Sequence, residues 1–361
     1  MFIDFLKIGL MPYIPFFKNI VKEDQNVGIL IPEFMSLSMH MTPRSVPPRS
    51  LVLASLDIVL ESFKEPDMGP RQPLLSGPEN NAWNRVVLVG HSYGTFISGW
   101  ILRQFIDVPE ETTTSRNKPT DLTNKIAHVV LVDPIPILLS NPTVAHNFLY
   151  RHPSTVCPHK LGSIAMEAEV DIEPGTARVS SPISPGYYSS PAAWQLWYFA
   201  CTDADIARAL FRTFFWMEGS IWREEIAMFL SARSPADLAI TGNGIEGRRK
   251  RARNMAILLG GMDQIVPAEA VRQYLTKEKR WKEHWVGRVQ HLATGDAVDI
   301  QQVQSNTIGD NDEPRNGTHQ TKGGGYLEVL FNAKLDHAVI FDDEKWTVPL
   351  QNVVLRYMRD I

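Results

Sequence analysis

The chain alternates short, strongly apolar runs with stretches in which apolar residues recur at helical spacing. The apolar runs lie at 27–32, 85–90, 126–133, 255–260 and 326–331. Because polar residues do not alternate within these runs, the runs are typical of strands that helices cover on both faces. The pattern therefore predicts the α/β class, with a mostly parallel sheet flanked by helices.

Helices are predicted in the intervals between the strands. Directly after Gly94, apolar residues recur at four-residue spacing, as on one face of a helix. Further helices are predicted over 46–63, 268–275 and 346–358. Pro267 precedes the second of these, at a place where the first helical turn tolerates proline.

One long interval lacks the strand pattern and is rich in aromatic residues. Nine of the 29 positions in 194–222 are aromatic, against 9% in the whole chain. Most belong in the core of a helical segment, and its inner face would cover an apolar pocket. The predicted domains are 1–135 for the first part of the core, 136–252 for a helical cap, and 253–361 for the second part, with a polar insertion at 282–325.

Composition narrows the function classes. The 361 residues are 44% hydrophobic and 21% charged, with a net charge of −4 and no basic stripe, which argues against a nucleic-acid partner. Cys157 and Cys201 are too few for a disulfide framework or a metal cluster, and they favour a reducing, cytoplasmic location. No window of about 20 apolar residues predicts a transmembrane helix. The oligomeric state stays open.

The pentapeptide Gly90-His91-Ser92-Tyr93-Gly94 lies between a predicted strand and a predicted helix. That context is the one required of a nucleophile elbow, in which a serine on a sharp turn projects its hydroxyl above the strand ends. The flanking glycines remove side chains that would collide with the neighbouring strand and helix. The side chain of His91 is expected to point away from the reaction. Ser92 is the predicted nucleophile, and the Tyr93 N–H is a predicted oxyanion donor.

A serine hydroxyl becomes a good nucleophile only when a base, oriented by an acid, takes its proton. For a serine on such an elbow, the acid comes next along the chain and the histidine base comes last. Asp263 comes directly after a late strand and is the predicted acid, the alternative being that it only caps the next helix. Asp133, after the preceding strand, is the alternative acid. His337 follows the last strand and is the predicted base, the alternative being an exposed loop histidine.

Together these motifs resemble the α/β-hydrolase superfamily, and more narrowly the capped serine hydrolases of filamentous fungi. The resembling segments are 11–17, 90–94, 132–134, 196–199, 212–216, 261–263 and 336–337. The resemblance implies an esterase-, lipase- or thioesterase-like hydrolase without cofactor or metal, with its cap or lid inserted after the sixth strand of the fold. Phe5, Trp197, Phe215 and Trp216 are the candidates for lining its substrate pocket.

Two departures from the family pattern stand at the N-terminus. Asp4-Phe5 occupies the place where a His-Gly pair is expected, and the backbone at Leu6 is the predicted second oxyanion donor. Loss of one such donor costs about 100- to 1000-fold in rate. The chain also begins at the third strand of the family's fold, so the first two strands are expected to be absent. Relatives of this kind often carry an upstream membrane anchor, so the resemblance implies membrane association of this protein if such an anchor precedes the given sequence.

The sequence therefore predicts an enzyme, a serine hydrolase that forms an acyl-enzyme on Ser92. The aromatic cap favours an apolar or lipid-like substrate carrying an ester, lactone or thioester. Two alternatives remain. One is a cyclase or lyase of specialised metabolism that uses the same pocket without hydrolysis. The other is a catalytically inactive binding or scaffold protein, which the Asp4-Phe5 pair favours.

Overall fold

A computed structural model gives the structure of this protein. It describes residues 2–5, 11–37, 46–62, 85–105, 122–150, 152, 194–195, 197–212, 214–231, 252–276, 286–291, 301–303, 325–342 and 344–361. The segments 2–5, 286–291 and 301–303 are described by their backbones alone.

The centre of the fold is a sheet of seven strands within the described residues. The strands are β1 (Phe2–Phe5), β2 (Val86–Ser92), β3 (Ile126–Val132), β4 (Met255–Gly260), β5 (Val286–His291), β6 (Gln301–Val303) and β7 (Tyr326–Asn332). Their order across the sheet is β1-β2-β3-β4-β7-β5-β6. All neighbouring pairs are parallel except β5 with β6. The carboxyl ends of β2, β3, β4 and β7 therefore lie along one edge.

Alternate residues of the central strands pack into two different apolar layers. In β2, Val86 and Leu88 belong to one buried cluster, and Val87 and Val89 belong to the other. The same alternation continues through β3 and β4. Successive strand residues point to opposite faces, so a strand covered on both sides must be apolar throughout. This is the physical origin of the continuous apolar runs.

Helices cover both faces of the sheet. They are α1 (Ile14–Glu23), α2 (Arg49–Ser62), α3 (Tyr93–Arg103), α4 (Leu122–Lys125), α5 (Pro142–Leu149), α6 (Ala204–Arg212), α7 (Trp216–Gly219), α8 (Arg223–Ser231), α9 (Ala268–Thr276) and α10 (Glu344–Arg359). Buried residues of α1 and α10 pack on the face that holds Val87 and Val89, whereas those of α2, α3 and α9 pack on the opposite face. The α/β class is thus confirmed.

One predicted strand is wrong. Residues 27–32 adopt no strand, although Ile29 and Ile31 pack against one apolar layer and Leu30 against the other. A short apolar run indicates that its residues are buried, but buried residues need not pair with a neighbouring strand. Conversely, the insertion at 282–325 contributes β5 and β6, which extend the sheet beyond β7. Because this segment is polar, its sequence did not predict these two strands.

Between β3 and β4 the described residues form helices, with a π-helical turn at Trp197–Cys201 and one isolated bridge. Arg103, the last residue of α3, holds this region to the core. Its guanidinium donates to the Glu225 carboxylate over 3.0 and 2.9 Å and to the carbonyls of Met217 and Ser220. The cap boundaries at 136 and 252 stay a prediction.

None of the helices in the described parts of the chain is both long enough and apolar enough to cross a bilayer.

A buried histidine makes the stability of the fold dependent on pH. His128 in β3 accepts a hydrogen bond from the Asn254 N–H over 3.0 Å, and burial together with Arg85 and Arg253 lowers its pKa to about 3. In the unfolded chain its pKa is about 6.5. Between these values the unfolded chain binds a proton that the folded chain does not. The contribution is therefore present above pH 6.5 and is lost as pH falls towards 3.

We expect wild-type protein to lose about 2 kcal/mol of unfolding free energy through His128 between pH 7 and pH 5. His128→Asn keeps an acceptor for the Asn254 N–H but cannot titrate, so this part of the loss should disappear. Denaturant titrations at both pH values measure it. His146→Asn, at an exposed histidine of α5, is the matched control. A loss that is equal in wild type and His128→Asn would contradict the assignment.

Candidate functional site

The site is assembled at the carboxyl edge of the sheet, where loops that follow β2, β3, β4 and β7 meet. Ser92 ends β2, Asp133 follows β3, Asp263 follows β4, and His337 follows β7. Ligand and catalytic sites of open parallel sheets form at this edge because every strand delivers its loop there. Four segments far apart in sequence thus supply one cluster of polar side chains.

Ser92 occupies a strained turn between β2 and α3. Its φ is 50° and its ψ is −119°, a combination that non-glycine residues rarely adopt. Gly90 permits the turn, because a Cβ on it would lie 2.6 Å from Ser98 Oγ and 3.0 Å from the Gly94 carbonyl oxygen. The geometry is that of the predicted elbow, with the serine directly before the first residue of α3.

A threonine ties the elbow to the neighbouring loop. The buried hydroxyl of Thr95 donates to the Ser92 carbonyl and accepts from the Ile135 N–H over 3.2 Å. It therefore links the turn that carries Ser92 to the loop that carries Asp133.

Ser92, His337 and Asp263 form a continuous hydrogen-bonded chain. Asp263 Oδ2 lies 2.8 Å from His337 Nδ1, and His337 Nε2 lies 2.9 Å from Ser92 Oγ. Since an ionised carboxylate only accepts, Nδ1 carries the proton and the lone pair of Nε2 faces the serine hydroxyl. The His337 side chain is 7% exposed, which excludes the alternative of an exposed loop histidine.

Asp263 makes both kinds of contact that the sequence left as alternatives, with the backbone before the next helix and with His337. Its Oδ1 accepts from the N–H groups of Ile265 and Val266, over 2.7 and 2.9 Å, just before α9. Its Oδ2 faces His337. The turn therefore fixes the carboxylate, and one oxygen remains directed at the imidazole.

The loops that carry Asp263 and His337 are bonded to each other through their backbones. The Gly261 N–H donates to the Asn332 carbonyl over 2.7 Å, and the Met262 N–H donates to the Leu335 carbonyl over 2.8 Å. A Cβ on Gly261 would lie 2.7 Å from the Cα of Ala333. Glycine thus allows the close approach that brings acid and base together.

Asp133 lies beside this chain and contacts the histidine loop. Its Oδ2 accepts from the Ala338 N–H over 2.8 Å, and its Oδ1 accepts from the Gly260 N–H over 3.3 Å. Asp133 and Ala338 both have left-handed backbone conformations, with φ of 46° and 65°. The residue named as the alternative acid therefore binds backbone, whereas His337 Nδ1 is bonded to Asp263.

His91 is buried next to Asp133 and His337, outside the hydrogen-bonded chain of Ser92, His337 and Asp263. Its Nδ1 is 2.8 Å from the Tyr13 hydroxyl, and its Nε2 is 3.7 Å from Asp133 Oδ2. Its ring centre is 5.6 Å from that of His337, and Phe341 packs edge-on against it at 5.1 Å. The sequence did not reveal the contacts of Tyr13 and His91 with this site, because they join segments 78 residues apart.

The electrostatics of the cluster follow from two buried carboxylates beside one imidazole. Burial by itself would lower the pKa of His337, but Asp263, and then Asp133, hold that pKa above its ordinary value of 6.5. Burial would likewise raise the pKa of Asp133, but His91, His337 and the Ala338 N–H hold it below its ordinary value. The site therefore binds the second proton of His337 more tightly than water would, and so stabilises an imidazolium when one forms.

Asp133, Asp263 and His337 also offer three ligand atoms within 4.8 Å of one another. A cation bound to all three would have to displace the proton between His337 and Asp263 and the bond from the Ala338 N–H. Because these contacts are already made, the donor set fits a hydrogen-bond network better than a metal site.

The remaining predicted residues are distributed as follows. Tyr93, whose N–H is a predicted oxyanion donor, is the first residue of α3 and follows Ser92. Leu6 lies outside the described residues. Phe5 is the register partner of Ser92, with its side chain not described. Trp197 is half-buried against His152 and Trp194, and Phe215 and Trp216 are 60% and 44% exposed.

The sequence did not single out Phe214, whose ring contacts the first residue of α3 and lies in the aromatic interval 194–222. Its ring stacks on Phe96 at 4.2 Å and lies 5.8 Å from the ring of Tyr93. Phe215 and Trp216 stand beside it in the same aromatic run, and only the folded structure shows that Phe214 packs inward while these two are 60% and 44% exposed.

No protein-family model matches this chain, and no curated protein matches it. Among solved structures, it is similar to a carboxylesterase of the ammonia-oxidizing thaumarchaeon Nitrososphaera gargenis, with 9% identity, 100% of this chain and 91% of that chain covered, and a TM-score of 0.37. It is also similar to the RedJ thioesterase of prodiginine biosynthesis in Streptomyces coelicolor, with 9% identity, 100% and 85% coverage, and a TM-score of 0.34. Similarities at this level decide neither the family nor the activity.

Thr95 offers a test of how the elbow is held. Thr95→Val keeps the shape of the side chain but removes the hydroxyl, leaving the Ile135 N–H buried without that acceptor. We expect a loss of about 1–3 kcal/mol in unfolding free energy. Thr95→Ser retains the hydroxyl and should recover most of it in the same chemical-denaturation experiment. Equal stability of wild type and Thr95→Val would contradict the role of this hydroxyl.

Proposed function

We propose that this protein is a serine hydrolase that cleaves an apolar ester, lactone or thioester through an acyl-enzyme on Ser92. The observation that carries the proposal is the chain from Ser92 Oγ through His337 to Asp263, with contacts of 2.9 and 2.8 Å. A nucleophile and base within hydrogen-bond reach, with the base oriented by a third group, is the arrangement that nucleophilic catalysis needs.

The first half-reaction uses the proton positions that the geometry favours. Nε2 of His337 removes the proton of Ser92 as Oγ bonds to the substrate carbonyl carbon. The Asp263 carboxylate stabilises the imidazolium that forms. The Tyr93 N–H, at the start of α3, donates to the oxyanion, and the backbone at Leu6 is the proposed second donor. His337 then returns the proton to the departing alcohol or thiol.

Water completes the cycle. His337 removes a proton from water as the oxygen attacks the acyl carbon, and it returns the proton to Ser92 Oγ when the acid leaves. These steps require no cofactor, so a chelator should leave the reaction unchanged. The aromatic residues of 194–222 supply the apolar surface proposed for the acyl chain, with Phe214 next to Tyr93 and the elbow.

The first experiment is labelling of purified protein with a fluorophosphonate, which reacts with activated serines. Wild type should be labelled, and Ser92→Ala should not be labelled at all. His337→Ala and Asp263→Asn should each slow labelling by about 10⁴-fold, as loss of base or orienting acid does in other serine hydrolases. Ser62→Ala, at an exposed serine of α2, is the control and should match wild type.

Absence of labelling in folded wild type would overturn the proposal. It would favour a catalytically inactive binding protein, which one observation supports independently: Asp4 pairs in register with His91, and Phe5 with Ser92, at the place expected for an oxyanion donor. Labelling without hydrolysis of any ester or thioester in a panel of acyl lengths would favour the cyclase or lyase instead.

The pH dependence of labelling tests the base. His337 acts when neutral, and its pKa is raised above 6.5 by Asp263 and Asp133 despite burial. The labelling rate should therefore fall as pH decreases through a midpoint above 6.5. Rates measured from pH 5 to 9 give the midpoint, after a check by circular dichroism that the fold persists at each pH. A midpoint below 6.5 would contradict the electrostatics described above.

A further inference from the structure

A second buried carboxylate accompanies the proposed catalytic chain, and the proposed reaction does not use it. Asp133 accepts from the Ala338 N–H over 2.8 Å, and Ala338 directly follows His337. It also accepts from the Gly260 N–H at the end of β4. Asp133 thereby connects the strand that leads to Asp263 with the loop that carries His337.

Unusual backbone conformations concentrate around Asp133. Among the described non-glycine residues, φ is positive at Ser92, Asp133, Leu138 and Ala338, and three of these four meet at this site. For an alanine the left-handed conformation is unfavourable, so surrounding contacts must hold Ala338 there. The hydrogen bond from its N–H to Asp133 contributes to this, together with the backbone bonds from the Val339 N–H to Asp336 and from the Phe341 N–H to Ala338.

The surroundings of Asp133 keep it ionised. His91 presents Nε2 at 3.7 Å, which is too long for a hydrogen bond but close enough for electrostatic attraction. The Tyr13 hydroxyl at His91 Nδ1 can donate to that nitrogen, which places the His91 proton on Nε2, towards Asp133. Tyr13 thus contacts His91, His91 lies next to Asp133, and Asp133 binds the loop that carries His337.

We propose that Asp133 is a positioning residue for His337: it fixes the backbone after the imidazole and, through its negative charge, stabilises the imidazolium formed when Ser92 gives up its proton. This inference rests on the proposed hydrolase function. It assigns Asp263 and Asp133 different tasks, since Asp263 orients the ring through Nδ1 and Asp133 acts on the loop and on the charge.

The groups that surround His337 are Asp263 after β4, Asp133 after β3, Ser92 and His91 on β2, and Asp336, whose Oδ1 accepts from the His337 N–H over 2.8 Å. Removal of the Asp133 charge leaves Asp263 at the imidazole and Asp336 at the backbone N–H of His337. The imidazolium is then less stabilised, so His337 should become neutral at a lower pH and the proton transfer from Ser92 should become slower.

The test is the pH profile of fluorophosphonate labelling in wild type and Asp133→Asn. Asparagine tolerates the left-handed backbone and keeps an acceptor for the Ala338 N–H, but it removes the charge together with the acceptor for the Gly260 N–H. We expect the midpoint to fall by about one pH unit and the plateau rate to fall about tenfold. Asp360→Asn, at an exposed carboxylate near the C-terminus, should leave both unchanged.

The outcomes are separable. If wild type is not labelled, the proposed function fails. If wild type is labelled but Asp133→Asn keeps the wild-type midpoint, only the positioning role fails, because a purely structural role lowers the amplitude without moving the midpoint. A loss of about 10⁴-fold in Asp133→Asn, with Asp263→Asn close to wild type, would make Asp133 the orienting acid and overturn the assignment.

If Asp133→Asn does not fold, the comparison is repeated in an Ala338→Gly background. Glycine adopts the left-handed conformation without help, so the loop no longer depends on Asp133. A lower midpoint in the double variant than in Ala338→Gly alone would support the proposal. An unchanged midpoint, or a double variant that still fails to fold, would show that Asp133 serves the fold alone and would overturn it.

Discussion

The parallel pairing of β2, β3, β4 and β7 is the constraint on which the rest of the structure depends. It places their carboxyl ends at one edge, so that Ser92, Asp133, Asp263 and His337 arrive at the same point from segments up to 245 residues apart. Backbone hydrogen bonds between 261–262 and the loop 332–335 then set the distance between acid and base. The two apolar layers on either face keep this sheet in place, and the Arg103–Glu225 pair joins α3 to the helices between β3 and β4.

The site shows how one side chain can serve both fold and chemistry. Asp263 binds the turn before α9 with one oxygen and the imidazole with the other. Asp133 binds two backbone N–H groups and still lies close enough to influence the charge on His337. Buried carboxylates persist in an apolar core only when such partners compensate for their desolvation. The partners that keep these carboxylates buried are thus the same groups that orient them.

Most of the strands and the order of site residues could be predicted from the sequence, because both depend on local patterns. The strands at 255–260 and 326–331 and the helix after Gly94 appear close to their predicted bounds. The strand predicted at 27–32 was wrong, because partial burial produces an apolar run without a pairing partner. β5 and β6 escaped prediction, because a strand in a polar segment joins the sheet through backbone hydrogen bonds that leave no hydrophobic signature.

What the sequence determined by itself is the α/β class, the strand–Ser92–helix turn and the chain order in which Asp263 and His337 follow. These features follow from hydrophobic periodicity and from local backbone geometry, and the catalytic roles attached to them stay predictions. Only the tertiary structure decided that Asp263 rather than Asp133 faces His337 Nδ1, that Tyr13 and His91 stand behind Asp133, and that Phe214 packs against Tyr93. Each of these depends on distances between residues remote in sequence, which strand order and helix packing fix and which no local pattern encodes.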